Sequence, residues 1–406
     1  MLYDYDNNRY AQGKVIAALD EAFASSAAPE YDLAPVLEGI DYEKIEVLFH
    51  SNNAEEESGA GDIILIYLKN KNKAAVLGAI EILSKNPYVL YAEPDYLETM
   101  HVVPSDPLFQ KLWGTKKVGA PLAWNYSTGS PRVSVGVIDT GIDYRHPDVR
   151  SNMWASPDGR LQNGWNFADN SRNSMDIDGH GTHVAGTIGA VGNNGIGMTG
   201  ICWDVRVVSM KFGLDVASAV AAIDFANRFD IPILNSSWGG RAYSKALKQA
   251  IEAYDGLFIA SAGNNGTNND IDPIYPASYD CDNILSVAAT NPDDTLARFS
   301  NYGVNSVDIA APGTNILSLG LRGTYTPKNG TSMSAPHVAG AAALLKAYMP
   351  HLSALTLKHM ILSSAVKSPY LDGKLVTGGM LNVNAMFVLA DYLKKKHQEK
   401  NCEMDG

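Results

Sequence analysis

Val133-Ser134-Val135-Gly136-Val137-Ile138-Asp139-Thr140-Gly141 places a short valine-isoleucine run directly before an acid, a hydroxyl and a glycine. The run is too short for a helix and apolar on both alternating faces, the pattern of a strand covered on both sides. The same pattern returns at 205–210, 231–234, 257–260 and 284–289, with amphipathic or alanine-rich stretches such as 217–229 and 243–254 between several of the runs. Apolar strands alternating with helices predict an α/β fold, a mostly parallel sheet between helical layers. In such sheets ligands bind beyond the carboxyl ends of the strands, so the residues that follow each run are the candidates for a site.

Run 133–138 leads into Asp139-Thr140-Gly141-Ile142-Asp143. Run 231–234 leads into Asn235-Ser236-Ser237-Trp238-Gly239-Gly240, and 257–260 into Ser261-Ala262-Gly263-Asn264-Asn265. Asp178-Gly179-His180-Gly181-Thr182-His183-Val184-Ala185-Gly186 puts a polar residue at the mouth of a small-residue helix. Asn329-Gly330-Thr331-Ser332-Met333-Ser334-Ala335-Pro336 sets a serine between a glycine-rich turn and an apolar run to about Tyr348, with Pro336 expected in the first helical turn. Singly, these residues have ordinary roles: Asp139 as a turn former, His180 as a core histidine, Asn264 as a loop amide, Ser332 as a helix cap. Together they supply an acid, a base, an amide donor and a hydroxyl at one edge of the sheet.

A serine hydroxyl attacks an amide only if a base takes its proton. Histidine titrates near neutrality and suits that task, and a buried carboxylate holds its tautomer and stabilises the imidazolium. The tetrahedral intermediate then needs fixed hydrogen-bond donors. Asp139, His180 and Ser332 fit the roles of orienter, base and nucleophile, with the Asn264 amide and the Ser332 backbone N–H as donors.

The chain has 406 residues, 46% hydrophobic and 19% charged, ordinary for a soluble globular protein and long enough for a large domain plus a small one. Of the net charge of −12, residues 1–101 carry −11, from 18 acidic and 7 basic side chains; that excess argues against a nucleic-acid partner and marks residues 1–101 as a separate unit from 102–406. Runs 15–19, 45–49, 62–68 and 89–91, with helical spacing over 74–84, predict a compact α+β unit there, followed by a proline-bearing linker at 94–107. The polar segment 51–61 reads as a loop. No apolar run is long enough to span a bilayer, so no membrane partner is expected. Cys202, Cys281 and Cys402 are an odd set without metal-binding spacing, and disulfides are not expected to hold the fold.

These blocks resemble those of the subtilisin family of serine proteases. The aspartate block matches Val137-Ile138-Asp139-Thr140-Gly141-Ile142-Asp143 with His146-Pro147-Asp148 following, the histidine block matches 180–186, and the serine block matches 330–337. Their order along the chain is the subtilisin order. The similarity runs from about Asp106 to Val383 and includes Tyr275-Pro276-Ala277, Phe299-Ser300-Asn301-Tyr302-Gly303 and Ala310-Ala311-Pro312-Gly313. It implies a three-layer subtilisin-like fold and a serine endopeptidase acting on protein or peptide substrates, a monomer. Asn264 would be the oxyanion-hole amide. Ser237, Trp238 and Gly239 would be the edge to which an extended peptide adds, and Ala260, Ser261, Ala262 and Gly263 the wall of a roomy specificity pocket.

The resemblance further implies a calcium (Ca2+) site of the thermitase type. Asp106, Asp148 and Asn194 would bind through side chains, and Val191, Ile196 and Met198 through backbone carbonyls, an all-oxygen shell. Residues 1–101 resemble a subtilisin-type propeptide with a ferredoxin-like α+β fold, with 10–16 as its first strand and 89–96 as its last. Such a prodomain is an intramolecular inhibitor, and self-cleavage is expected within 97–103, beside Met100 or His101. Secretion follows from this reading; an intracellular subtilisin is the lesser alternative, and a catalytically silent binding module with a permanent cap is the reading from another class.

Overall fold

The structure, a computed structural model, describes residues 10–20, 32–49, 60–96 and 102–404, with side chains to Lys394. The chain divides into two compact units, Met1–Met100 and His101–Gly406.

In the first unit, β1 (Tyr10–Asp20), β2 (Tyr42–Phe49), β3 (Ala60–Leu68) and β4 (Val89–Tyr96) form an antiparallel sheet in the order β2-β3-β1-β4. Alternation decides its faces: Val15, Ala17 and Leu19 of β1 and Ile64 and Ile66 of β3 are buried in one cluster with Val76, Ala79, Ile80 and Leu83 of the helix Lys73–Leu83. That helix starts where the Asn72 side chain accepts the Ala75 N–H at 2.8 Å. The result is the ferredoxin-like arrangement expected from the resemblance. The linker begins later than the prolines suggest, because β4 continues through Pro94, which lies opposite Val15. Proline is tolerated there because β4 is an edge strand, with one side of its backbone outside the ladder. The loop expected at 51–61 falls almost wholly outside the described residues.

The second unit is built on a nine-stranded sheet in the order β14-β15-β11-β10-β9-β8-β5-β7-β6. Its centre is β5 (Gly129–Asp139), β7 (Asp204–Lys211), β8 (Ile233–Ser236), β9 (Leu257–Ser261) and β10 (Ile284–Thr290), all parallel. The flanks are β6 (Gly164–Asn166), β11 (Ile309–Pro312), β14 (Val366–Lys367) and β15 (Gly379–Met380), with only the β14–β15 pair antiparallel. Successive residues of one strand enter opposite cores. Val207, Ile233 and Ile259 pack with the helices His180–Gly189 and Thr331–Tyr348, while Val208, Leu234 and Phe258 pack with Val216–Arg228 and Lys245–Glu252. Burial on both faces is why these strands read as unbroken apolar runs.

The helix Thr331–Tyr348 is buried continuously from Thr331 to Leu345, so it runs through the interior rather than along the surface. Pro336 is its sixth residue, beyond the first turn where the sequence places it. The short flanking strands and the β12 (Ile316–Leu319)–β13 (Tyr325–Lys328) hairpin escape sequence reading because two to four residues carry no periodicity.

Candidate active site

Asp139 is the last residue of β5 and 3% exposed. Its Oδ1 accepts the Thr140 N–H at 2.7 Å and lies 2.8 Å from His180 Nδ1. His180 opens its helix one residue before Gly181, where a β-carbon would come within 2.1 Å of the Gly141 carbonyl oxygen and 3.1 Å of the Asp139 side chain. Only glycine lets the helix close so tightly on the aspartate strand. Burial pushes the His180 pKa down, but the hydrogen bond and charge of Asp139 outweigh it and hold the ring above its ordinary value. The ring keeps 29% of its side chain exposed, so it is both coupled to the acid and reachable.

Asp176 orients this histidine helix and was not singled out by the sequence reading. Its buried carboxylate accepts the Gly179 N–H and the Thr140 hydroxyl on Oδ1, both at 3.0 Å, and the N–H and hydroxyl of Thr182 on Oδ2 at 3.0 and 2.7 Å. Burial alone would raise its pKa; these donors win and hold it below the usual value. The signal was an aspartate ahead of a glycine and a helix start, which reads only as an ordinary cap.

Ser332 is the second residue of the long helix and 9% exposed. Its hydroxyl donates to the Ser237 carbonyl at 3.0 Å, and the Ser237 hydroxyl donates back to the Ser332 carbonyl at 2.9 Å. The second bond has a sequence cause. Pro336 stands four residues after Ser332 and has no N–H, so the Ser332 carbonyl lacks its helical donor and the Ser237 hydroxyl supplies one. Among the described residues no hydrogen bond joins Ser332 to His180; the structure brings Asp139 and His180 together and ties Ser332 to the end of β8.

Asn264 follows β9 and is exposed. Its Oδ1 accepts the Thr331 N–H at 2.8 Å and the Thr331 hydroxyl at 3.0 Å. A backbone N–H can only donate, so these bonds fix which way the amide faces and leave Nδ2 beside Gly330, 3.5 Å from where a β-carbon on that glycine would stand. Gly330 has φ +146°, the region that favours glycine, and turns the chain into the helix.

Ser237 is buried, Trp238 half-buried and Gly239 exposed. The Trp238 indole donates to the Ile138 carbonyl at 2.9 Å and its ring lies 4.7 Å from that of Phe212. Ala260, Ser261 and Ala262 are buried, and Gly263, with φ +111°, turns the chain toward Asn264. His183 and His337 are not alternative bases. His183 Nε2 donates between the Ile316 and Thr326 carbonyls, and burial pushes its pKa down to about 3. His337 is buried against Gly114, with its pKa down to about 4.

Elsewhere in this unit, Asp106 and Asp148 are 4% and 0% exposed. Asp106 Oδ2 accepts the Asn193 N–H, while its buried Oδ1 has no hydrogen-bond partner among the described residues. Asp148 accepts the Met198 N–H at 2.8 Å, the Asn194 side-chain amide at 2.7 Å and the Tyr325 hydroxyl at 3.2 Å. Burial pushes both carboxyl pKa values up, and for Asp148 the nearby Asp106 charge adds to it. Val191 donates its N–H to the Asp148 carbonyl, and Ile196 its N–H to Asn194 Oδ1. Among the described residues no three His, Cys, Asp or Glu side chains converge as a metal cluster. Cys202 and Cys281 are buried free thiols.

An α/β sheet with an aspartate-histidine pair at its carboxyl edge and a serine at a buried helix start has the layout of a serine protease. The comparisons give the family: the subtilase family profile matches residues 130–389, and the chain belongs to that family. It is 38% identical over 287 residues to a thermophilic serine proteinase of Bacillus sp. (strain AK1), covering 68% of this chain and 67% of that protein. It is 36% identical over 251 residues to thermitase of Thermoactinomyces vulgaris, covering 60% of this chain and 85% of that one. Among solved structures, a protease from Pseudoalteromonas arctica superposes with a TM-score of 0.62 at 27% identity, over 71% of this chain and 100% of the other. The chain is thus a subtilisin-like serine protease.

Proposed function

We propose that the protein is an endopeptidase working through Asp139, His180 and Ser332, with the Asn264 amide and the Ser332 N–H as oxyanion donors. The observation that carries this reading is the 2.8 Å Asp139–His180 bond. Ser332 Oγ turns from the Ser237 carbonyl toward His180 Nε2, which takes its proton as the oxygen attacks a peptide carbonyl. Asp139 stabilises the resulting imidazolium. Asn264 Nδ2 and the helix N-terminus meet the negative oxygen of the intermediate. His180 passes its proton to the leaving amine, and water then releases the acyl group by the same steps. The acyl side of the substrate lies along Ser237, Trp238 and Gly239, with its primary side chain against Ala260, Ser261, Ala262 and Gly263. The test is hydrolysis of a mixed peptide library by the parent and by Ser332→Ala and His180→Ala. Comparable turnover in all three would overturn the assignment.

Residues 1–101 are proposed to act as an intramolecular inhibitor, removed by self-cleavage within 97–103. Residues 97–101 of that segment lie outside those described. Secretion and a monomeric state belong to the same reading; no described helix is long and apolar enough to cross a membrane. For calcium, the residues fit. Asp106 and Asp148 are two buried carboxylates, one with an orphaned oxygen, and a divalent cation would supply the missing counter-charge. Asn194 and the carbonyls of Val191, Ile196 and Met198 complete the proposed oxygen set.

A further inference from the structure

A cavity of about 610 Å³ lies beside the histidine helix, and none of Asp139, His180, Asn264 and Ser332 lines it. Three turns enclose it: 143–147 after β5, 175–177 before the histidine helix, and 321–323 at the tip of the β12–β13 hairpin. They are fastened to one another. The Asp176 N–H donates to the Ile142 carbonyl at 3.2 Å, and the Arg322 N–H to Asp143 Oδ2 at 2.8 Å. Pro147 Cδ lies 3.6 Å from where a β-carbon on Gly323 would stand, and Leu321 Cγ 3.3 Å from the same point on Gly179, the residue before His180. These contacts fix the walls, so the cavity is preformed and of the size that takes a small organic molecule.

The lining divides by chemistry. Pro147, Met175, Ile177 and Leu321 are apolar, and Ile177 is 82% exposed, so a ligand that covers it removes apolar surface from water. Arg145 and Arg322 are exposed, and among the described residues neither guanidinium has a hydrogen-bond or ion-pair partner. The two acids in the lining, Asp143 and Asp176, are 7% and 3% exposed and already engaged: Asp143 accepts the N–H groups of Arg145 and Arg322, and Asp176 those of Gly179 and Thr182. The charge open to a ligand is that of the two guanidiniums. Arg322 has φ +58°, a conformation that strains an arginine and not a glycine. Its N–H bond to Asp143 needs no side chain, so the turn alone does not account for an arginine there.

We propose that this cavity binds a small organic carboxylate with an apolar body, outside the triad. Arg145 and Arg322 hold the carboxylate, since a guanidinium presents paired N–H donors that match its two oxygens. Pro147, Met175, Ile177 and Leu321 receive the body. The site stands whether or not the endopeptidase reading does, because no residue of the triad takes part in it.

The experiment is isothermal titration calorimetry of the full-length parent, Arg145→Ala and Arg322→Gly with octanoate, N-acetylphenylalanine and N-acetylphenylalaninamide. The two acids carry the same charge on an aliphatic and an aromatic body, and the amide keeps the aromatic body without the charge. The expected result is one site in the parent for at least one acid, with Kd of about a millimolar or tighter. The amide should bind at least about tenfold more weakly, and each variant should weaken the acid by about tenfold, the loss of a charge-assisted hydrogen bond. The melting temperature of Arg322→Gly should not drop, because glycine relieves the strain; if that variant fails to fold, Arg145→Ala carries the test. No binding of either acid at about ten times that concentration would overturn the proposal. An amide that binds as tightly as the acid, or variants that keep the parent affinity, would overturn it as well.

Discussion

At the scale of single residues, the proposed chemistry turns on how His180 is held. Asp139 keeps the ring protonated to a higher pH than usual, and only the neutral ring can accept the serine proton. Activity should therefore fall as pH drops through a value above about 6.5, the ordinary histidine pKa. Asp139→Asn removes the group that raises the pKa and leaves burial dominant, so the acid limb of a kcat/KM profile should move to lower pH while kcat drops by about 10⁴. An unmoved limb would show that another group titrates. For Asn264→Ala, the expected loss is in kcat with little change in KM; in subtilisin itself, loss of one oxyanion donor costs about 10²–10³. As candidates, Asp139, His180, Asn264 and Ser332 are legible in the sequence because each follows an apolar strand or opens a small-residue helix. Asp176 and Ser237 are not legible as supports, because Thr140, which binds Asp176, and Ser332, which binds Ser237, lie far from them along the chain.

At the scale of elements, the helix Thr331–Tyr348 departs from a regular helix at Pro336, and the Ser237 hydroxyl fills the gap that proline leaves. Ser237→Ala should destabilise the protein by about 1–3 kcal/mol, the cost of an unsatisfied buried carbonyl. In Ser237→Ala/Pro336→Ala the helix regains an N–H for that carbonyl, so the double variant should lose less than the two single losses added. Denaturant midpoints of the four proteins give the coupling, and strict additivity would separate the proline from the serine. The central strands could be read in advance because burial on both faces leaves unbroken apolar runs. Pro94 misled in the other direction, since a proline normally ends a strand and only the edge position of β4 admits one. The outer strands, of two to four residues, exist through their neighbours rather than through any pattern of their own.

At the scale of the whole molecule, Asp106, near the start of the second unit, and Asp148 each accept hydrogen bonds from the 191–198 segment, so a cation between the two carboxylates would tie distant parts of the chain together. At saturating calcium, chelation should lower the melting temperature by on the order of 5–10 °C, and Asp148→Asn should abolish that response. A chelator-insensitive melt would remove calcium from the structure's support. The charge asymmetry of the sequence marks residues 1–101 as a separate unit, and their proposed role as a removable inhibitor is tested by following their cleavage. Ser332→Ala, made in a host lacking proteases, should accumulate as the uncut 406-residue chain while the parent is shortened within 97–103. Cleavage of the variant at the same place would assign the cut to another enzyme. The most direct measurement is reaction of the protein with a fluorophosphonate, followed by peptide mapping by mass spectrometry. The expected result is one adduct, on Ser332, absent in His180→Ala, with peptide hydrolysis lost in step with labelling; hydrolysis that survives complete labelling, or an adduct on any other serine, would contradict it.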